Sequence, residues 1–396
     1  MSNDDKKQAI AVYLRYYLSI SMTFVYRQLH GAASRFRPIV LTSSLSNLDI
    51  FPYEPIYAKE WNFFDRVQSR LERLLKRKYA ALPPIHIRYW KRIVREQKVR
   101  LIHAHFGPYA LEILPVARAM RIPLVATFHG FEASMLLRNP IYVAQLRELF
   151  DYAIIIAVSR GVAERLIGVG ADRSRLVVHY IGAPVENFRY VERKAPSEKV
   201  KEGLPIEFLQ VSNFVEKKGH RYTIEAFSKL FSRYSNCNLT LAGDGPLRGE
   251  MEALCRRMNI EDRVRFVGRV TTDQAIRLMS NADIFVHHSV ISEAGDQEGL
   301  PTVIAEAMST GLIVVSTRHS GIPEIIDHGV DGFLVEERDI EGYLSALGSA
   351  LECTDAFGRR AAEKVKSKFN LDVQNGKLLE IYDRALSGQK DPIAPC

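Results

Sequence analysis

Two doubly wound parallel-sheet α/β domains with a helical C-terminal segment are what this 396-residue sequence predicts. Three observations carry that expectation. Short apolar runs alternate with longer amphipathic stretches, the alternation breaks once near the middle, and it then restarts. The runs are continuous, which marks strands buried on both faces, as in a parallel sheet covered by its own connecting helices. The length also exceeds one ordinary core, at ~100–200 residues per domain.

In the first half the strand-like pieces are AIAVYL (9–14), PIVLTS (38–43), LIHAHF (101–106), LVATFH (124–129), YAIIIAV (152–158) and LVVHYIG (176–182). Helix-length segments such as YALEILPVARAM (109–120) lie between them, giving a first domain over 1–188. RYVERKAPSEKVKEGLP (189–205) is charged, carries two prolines and has little apolar content, so it reads as a linker. The alternation resumes with IEFLQVS (206–212), NLTLAG (238–243), VRFVG (264–268), ADIFVHH (282–288), LIVVST (312–317) and GFLV (332–335), a second domain over 206–370. The end, 371–396, is expected to be a helix packing back on the first domain. Ligands of such sheets bind at the carboxyl ends of the strands, and here the cleft between two such domains is the expected site.

Composition narrows the class. At 47% hydrophobic and 25% charged residues, the chain is that of a folded protein without a disordered bias. Its longest apolar run, AIIIAV (153–158), falls far short of the ~18 residues of a spanning helix. The opening MSNDDKKQ has no hydrophobic leader core, so a cytoplasmic location is expected. Cys237, Cys255, Cys353 and Cys396 are scattered without a C-x-x-C pair, against a disulfide framework or structural zinc.

The net charge of +8 is uneven: residues 1–190 hold 28 Lys+Arg against 15 Asp+Glu, and the remainder 26 against 31. Within 66–100 stand 12 basic and 2 acidic residues. There Arg70, Arg73, Arg77 and Lys78 alternate with Leu71, Leu74, Leu75 and Tyr79. Such an amphipathic basic helix suits an anionic membrane surface, or else a solvated helix whose leucines meet the core. No nucleic-acid module accompanies the charge, so nucleic acid is not an expected partner.

EGLPTVIAEAM (298–308) places Glu298 just before a helix start and Glu306 on its second turn. Acids near a helix N-terminus are explained by the dipole alone, but the same N–H groups also offer a site to a phosphate or sugar. In LAGDGPLRG (241–249) a glycine-rich turn follows a strand and opens a helix. Its spacing, G-x-G-x-x-x-G with Arg248 where Gly or Ala should pack, argues against a nicotinamide-dependent oxidoreductase.

Taken in order, three segments resemble the retaining glycosyltransferases of family 4, of GT-B fold. They are AGDGPLRGEMEALCRRMNIEDRVRFVGRV (242–270), GDQEGLPTVIAEAMSTGLIVVSTRHSGIPEII (295–326) and HAHFGPYALEILPVARAMRIPLVATFHGFEAS (103–134). The last is similar to the bacterial exopolysaccharide branch, that of the colanic acid and amylovoran transferases. The resemblance implies a hexosyltransferase that moves a sugar from a UDP- or GDP-linked donor to a glycan or lipid-linked glycan acceptor, with retention. It implies no cofactor and no metal, and a location in the cytoplasm or peripherally on the inner face of the cell membrane.

By the same resemblance Glu306 takes the ribose hydroxyls, for which an ionised carboxylate is the best acceptor. Glu298 faces the donor sugar, with Gly299, Leu300, Pro301 and Thr302 behind it, and Pro301 suits a first helical turn. Lys218, in VSNFVEKKGH (211–220), would neutralise the leaving diphosphate. Asn213 stands where an arginine is usual, and brings hydrogen bonds without charge. Gly243 belongs to the nucleotide pocket, and the base is expected against the backbone of Gly268 and Arg269. His129 reaches the donor sugar from the first domain. His105 lines the acceptor side, and Ser21 and Thr23 either contact the acceptor or cap a helix. Catalysis is thus assigned to His129, Glu298 and Lys218. The alternative is a non-catalytic sugar-nucleotide binder or partner subunit, motivated by Asn213. His103 and His105 alternate on one strand face, but no third metal ligand of suitable spacing follows.

Overall fold

The computed structural model describes residues 7–388 and divides into two units, one running through Ile181 and resuming at Asp372, the other Gly182–Leu371. Most of the leader stretch, Cys396 and residues 389–395 of the expected terminal helix lie outside the described residues.

The first unit holds a seven-stranded parallel sheet of Ala9–Leu14 (β1), Arg37–Thr42 (β2), Ile56–Ala58 (β3), Val99–His105 (β4), Leu124–Phe128 (β5), Ile154–Ala157 (β6) and Leu176–Val178 (β7). Its order is β3-β2-β1-β4-β5-β6-β7, so direction reverses between β1 and β4. Every residue of β1 is buried, and Val12 pairs with Val40 on one side and His103 on the other. Its helices are Thr23–Ala32 (α1), Phe63–Leu75 (α2), Pro84–Glu96 (α3), Gly107–Met120 (α4), Pro140–Phe150 (α5) and Arg160–Gly168 (α6). Asn62 and Asp65 cap α2 reciprocally, and Asn139 and Ser159 cap α5 and α6, satisfying N–H groups that have no partner within the helix.

The second unit repeats the plan with six parallel strands: Ile206–Val211 (β8), Cys237–Ala242 (β9), Val264–Gly268 (β10), Ile284–His287 (β11), Ile313–Thr317 (β12) and Phe333–Val335 (β13), in the order β10-β9-β8-β11-β12-β13. Its helices are Pro196–Lys201 (α7), His220–Phe231 (α8), Arg248–Arg257 (α9), Thr272–Asn281 (α10), Thr302–Ser309 (α11), Ile322–Ile325 (α12), Ile340–Leu351 (α13) and Asp355–Lys364 (α14). Phe208, Leu239, Ile284, Val315, Phe227 and Leu347 share its core. Cys237, Cys255 and Cys353 are buried free thiols.

The last helix, Leu371–Ser387 (α15), lays Leu378, Ile381 and Tyr382 against Ile10, Leu101 and Val125 of the first sheet. Two boundaries differ from expectation. The chain passes between units at 181/182, not at 188, and the stretch 189–205 is no free linker. It carries α7, Lys199 pairs with the buried Asp283 at 2.7 Å, and Arg193 donates to the Thr310 carbonyl at 2.8 Å. Its charges have buried partners in the second unit, so they do not mark a solvated connector. Among the described residues no helix is long and apolar enough to cross a membrane.

Candidate functional site

In the second unit the phosphate-loop candidate begins where β8 ends. The buried Gln210 donates to the Lys218 carbonyl at 2.9 Å and to Ser212 Oγ at 3.1 Å, and accepts from Thr223 Oγ1 of α8 at 2.9 Å. One side chain thus ties loop 212–218 to the helix that follows. The loop closes at Gly219, at φ +60°, where a Cβ would stand 1.7 Å from the His288 carbonyl oxygen. Only glycine fits so close an approach in the left-handed region.

Lys218 Nζ then stands 2.8 Å from Glu298 Oε1. The two predicted residues are 80 positions apart in sequence and meet at the carboxyl ends of β8 and β11. Burial pushes the Glu298 carboxyl up, yet Lys218 and, further off, Lys217 outweigh it and hold it at about 2. The Glu298 amide donates to His319 Nε2 at 3.0 Å, and His319 Nδ1 meets Glu337 Oε1 at 2.6 Å. Because Nε2 accepts, His319 carries its proton on Nδ1, and it positions the Glu298 backbone. Lys217 pairs with Asp296 at 2.9 Å, anchoring the loop that leads to Glu298.

After Glu298 the chain runs through the buried Gly299 and Leu300 to α11. Pro301 is the residue before the helix, not its first residue, and Thr302 opens it. Glu306 lies on the second turn, half-buried. Gly243 takes φ +146°, a Cβ there would stand 1.9 Å from the Ser212 carbonyl oxygen, and its amide donates to the Gly268 carbonyl at 2.7 Å. Gly243 and Gly268 therefore line one backbone edge, next to the exposed Arg269 and Asn213. Arg248, beside Gly268, is engaged by Glu252 at 2.8 Å.

In the first unit His105 Nδ1 lies 3.3 Å from His129 Nε2, and the rings stack at 5.5 Å. Burial and the neighbouring His105 hold His129 well below the usual histidine range, so it is neutral. Burial likewise lowers His105, to about 3. Glu132 accepts from the His129 amide at 2.7 Å, and Phe24 and Phe106 pack on the His129 ring at 4.8 and 4.6 Å. His129 Nδ1 has no hydrogen-bond partner among the described residues. His103 is fully occupied, at 2.7 Å from both Tyr382 Oη and Thr127 Oγ1. That pairing explains the alternating histidines without a metal. Ser21 is exposed and Thr23 opens α1, but the cap position is Met22 and no side chain caps that helix, which removes the capping role considered for both.

Several residues of these sites carry no sequence signal. His287 is buried beside Lys218 and Glu298, with both ring nitrogens unpartnered among the described residues. Phe106 adopts φ +71°, a conformation costly for a bulky residue, with its ring on His129. A His-His pair and a strand-end Phe are ordinary core composition, so only packing distinguishes them.

Known proteins bear on this arrangement. The family model described as glycosyl transferases group 1 matches residues 192–367, and that described as Glycosyltransferase Family 4 matches 23–187. The putative colanic acid biosynthesis glycosyltransferase WcaL of Escherichia coli is 30% identical over 285 residues, 70% of this chain and 69% of that protein. The amylovoran biosynthesis glycosyltransferase AmsK of Erwinia amylovora is 31% identical over 290 residues, 71% and 69% of the two chains. Among solved structures, Anabaena HepE in complex with UDP and glucose superposes with a TM-score of 0.74 at 18% identity, covering 95% of this chain and 99% of that one. A glycosyltransferase from Rickettsia africae gives 0.73 at 19%, covering 97% and 100%.

Proposed function

Since the chain belongs to the family 4 glycosyltransferases of the exopolysaccharide type, we propose that it moves a hexose from a UDP- or GDP-linked donor to a glycan or lipid-linked glycan acceptor, with retention and without a metal. The observation that carries the reading is the pair of half-buried Lys218 and buried Glu298 at the carboxyl ends of β8 and β11, next to the start of α11. Lys218 has three N–H donors and spends one direction on Glu298, leaving others for the departing diphosphate. Glu298, kept ionised, orients donor hydroxyls and offsets the positive charge that develops at the anomeric carbon. Glu306 takes the ribose hydroxyls, and the neutral His129 offers Nδ1 to the sugar. Exclusion of water protects the donor from hydrolysis.

Calorimetric titration with UDP, GDP and ADP tests this. One nucleotide is expected to bind, and Glu306→Ala to weaken it by roughly 1.5–3 kcal/mol, about tenfold or more. Equal binding by the variant would refute the role of Glu306. Donor hydrolysis or transfer abolished by Glu298→Ala would exclude the non-catalytic alternative.

A peripheral membrane location is supported by α2, whose polarity is inverted. Its buried residues are Asp65, bonded to His86 at 3.0 Å, and Ser69, bonded to the Ala81 carbonyl at 2.8 Å. Its apolar residues face outward: Phe63, Phe64, Leu74 and Leu75 are 74, 79, 68 and 82% exposed. With Arg66, Arg70 and Arg73 on the same helix, this surface suits anionic lipid, at about 1 kcal/mol per cation. Co-sedimentation with phosphatidylglycerol vesicles, equal to that with neutral vesicles even at low salt, would reject it.

A further inference from the structure

Two histidines stand side by side at the end of β11, and the fold uses only one of them. His288 stacks on Tyr222 at 4.9 Å, meets Tyr343 edge-on at 4.5 Å, and accepts at Nε2 from the Arg338 amide at 3.0 Å. Successive residues of a strand point to opposite faces, so His287 turns the other way, parallel to the Phe285 ring at 6.3 Å. Its backbone is held, because the carbonyl accepts from Ser316 Oγ at 2.6 Å and from the Ser289 amide at 3.1 Å. Its side chain makes no such bond. His287 is wholly buried, and neither ring nitrogen has a hydrogen-bond partner among the described residues. A buried polar group left unpaired costs folding free energy that an apolar side chain of similar size avoids.

The charges that act on this ring are Lys218 and Glu298, with His220 and His319 around them. Burial and Lys218 hold it well below the usual histidine range, against the pull of Glu298, so the ring is neutral and carries one N–H. His319 uses both nitrogens, on the Glu298 amide and on Glu337, and His220 uses Nε2 on Ser212 Oγ at 3.1 Å. The Glu298 carboxylate itself depends on Lys218. Their 2.8 Å contact is an ion pair, and among the described residues Oε1 accepts no hydrogen bond of regular geometry. A diphosphate bound at the loop 212–218 claims that same ammonium. A buried carboxylate that loses its cation is strongly destabilised unless another donor takes it. The His287 N–H is the uncommitted donor beside it.

We infer that His287 is a positioning residue of the donor site: when a nucleoside diphosphate draws on Lys218, the His287 ring N–H takes the Glu298 carboxylate and keeps it ionised and aligned. The inference rests on the transferase reading above, and adds to it a residue that serves the donor only through Glu298.

H287L, H287Q, E298Q and H287L/E298Q are titrated calorimetrically with UDP and GDP, and unfolded in urea without nucleotide. H287L is expected to unfold at the same urea concentration as wild type or a higher one, since it removes two unpaired polar atoms. It should bind the nucleotide about tenfold more weakly, the loss that accompanies a hydrogen bond to a charged group. H287Q, whose amide keeps an N–H, should stay within about threefold of wild type. In the E298Q background H287L should change affinity by less than about twofold, because the charge it serves is gone. Failure of H287L to fold, or a lower urea midpoint, would overturn the inference by making the ring a structural element. So would H287Q binding as weakly as H287L, or a tenfold loss that persists in E298Q and puts the ring on the diphosphate itself. If wild type binds neither UDP nor GDP, the transferase reading falls; if it binds one and H287L binds it equally well, only the role of His287 falls.

Discussion

Replacing Lys218 by methionine isolates the buried Glu298 carboxylate and makes the electrostatics of the second unit measurable. Burial alone would raise that carboxyl, yet in the pair it stands at about 2, against 4.5 for an ordinary glutamate. That gap corresponds to about 3 kcal/mol of folding free energy. The folded value is the lower one, so the contribution is fully present above pH 4.5 and is lost as pH falls towards 2. Without Lys218, the nearest remaining ammonium is Lys217, already paired with Asp296 at 2.9 Å. Burial then dominates and the carboxyl moves above 4.5. The variant is expected to lose about 3–5 kcal/mol at pH 7.5, the range for breaking a buried pair. Its deficit relative to wild type should narrow as pH falls towards 5, because protonating Glu298 removes the stranded charge. Lys218→Met with Glu298→Gln should recover most of the loss. Urea unfolding followed by far-UV circular dichroism is the assay, since Trp61 and Trp90 both report on the first unit. A deficit below about 1 kcal/mol at every pH would refute the reasoning.

Three further outcomes are expected. Gly219→Ala forces a Cβ within 1.7 Å of the His288 carbonyl oxygen, so it should cost about 3 kcal/mol or more and weaken nucleotide binding with Lys218 intact, measured by unfolding and calorimetry. Burial holds His105 and His220 at about 3 and His179 and His288 at about 4, so the unfolded chain binds protons that the folded chain refuses. Stability should be full above pH 6.5 and fall by up to ~5 kcal/mol per pH unit below it, seen as acid unfolding between about pH 6 and 4; a flat profile to pH 4 would contradict the buried neutral assignment. Tyr382→Phe leaves His103 without its 2.7 Å partner and should cost about 1–3 kcal/mol in denaturant titration.

Much of the fold is legible in sequence because a parallel strand buried on both faces leaves a continuous apolar run, as β1 (AIAVYL) and β6 (IIIA) do. The strand β3 escapes that rule: Ile56–Ala58 is three residues long and half-buried at the sheet edge, too short to show a pattern. The boundary between the units escapes sequence for a related reason. Charge in 189–205 signals solvent only when its partners are unknown, and Asp283 and the Thr310 carbonyl lie more than eighty residues away in sequence.

The chemistry divides along the same line. Glu298, Glu306, Lys218 and the glycines at 219 and 243 stand in local segments whose turns and helix starts can be read residue by residue. What sequence by itself determined is therefore most of the order of strands and helices and the candidate residues carried by them. Tertiary structure alone decided which charges meet. Lys218 and Glu298 are neighbours because β8 and β11 are adjacent in the sheet, and His103 is satisfied because α15 returns Tyr382 to it across 279 positions. It also decided which side of α2 turns inward. Periodicity gives a helix two faces, and the polar one is buried because His86 and the Ala81 carbonyl wait there to bond Asp65 and Ser69, which leaves the leucines outside.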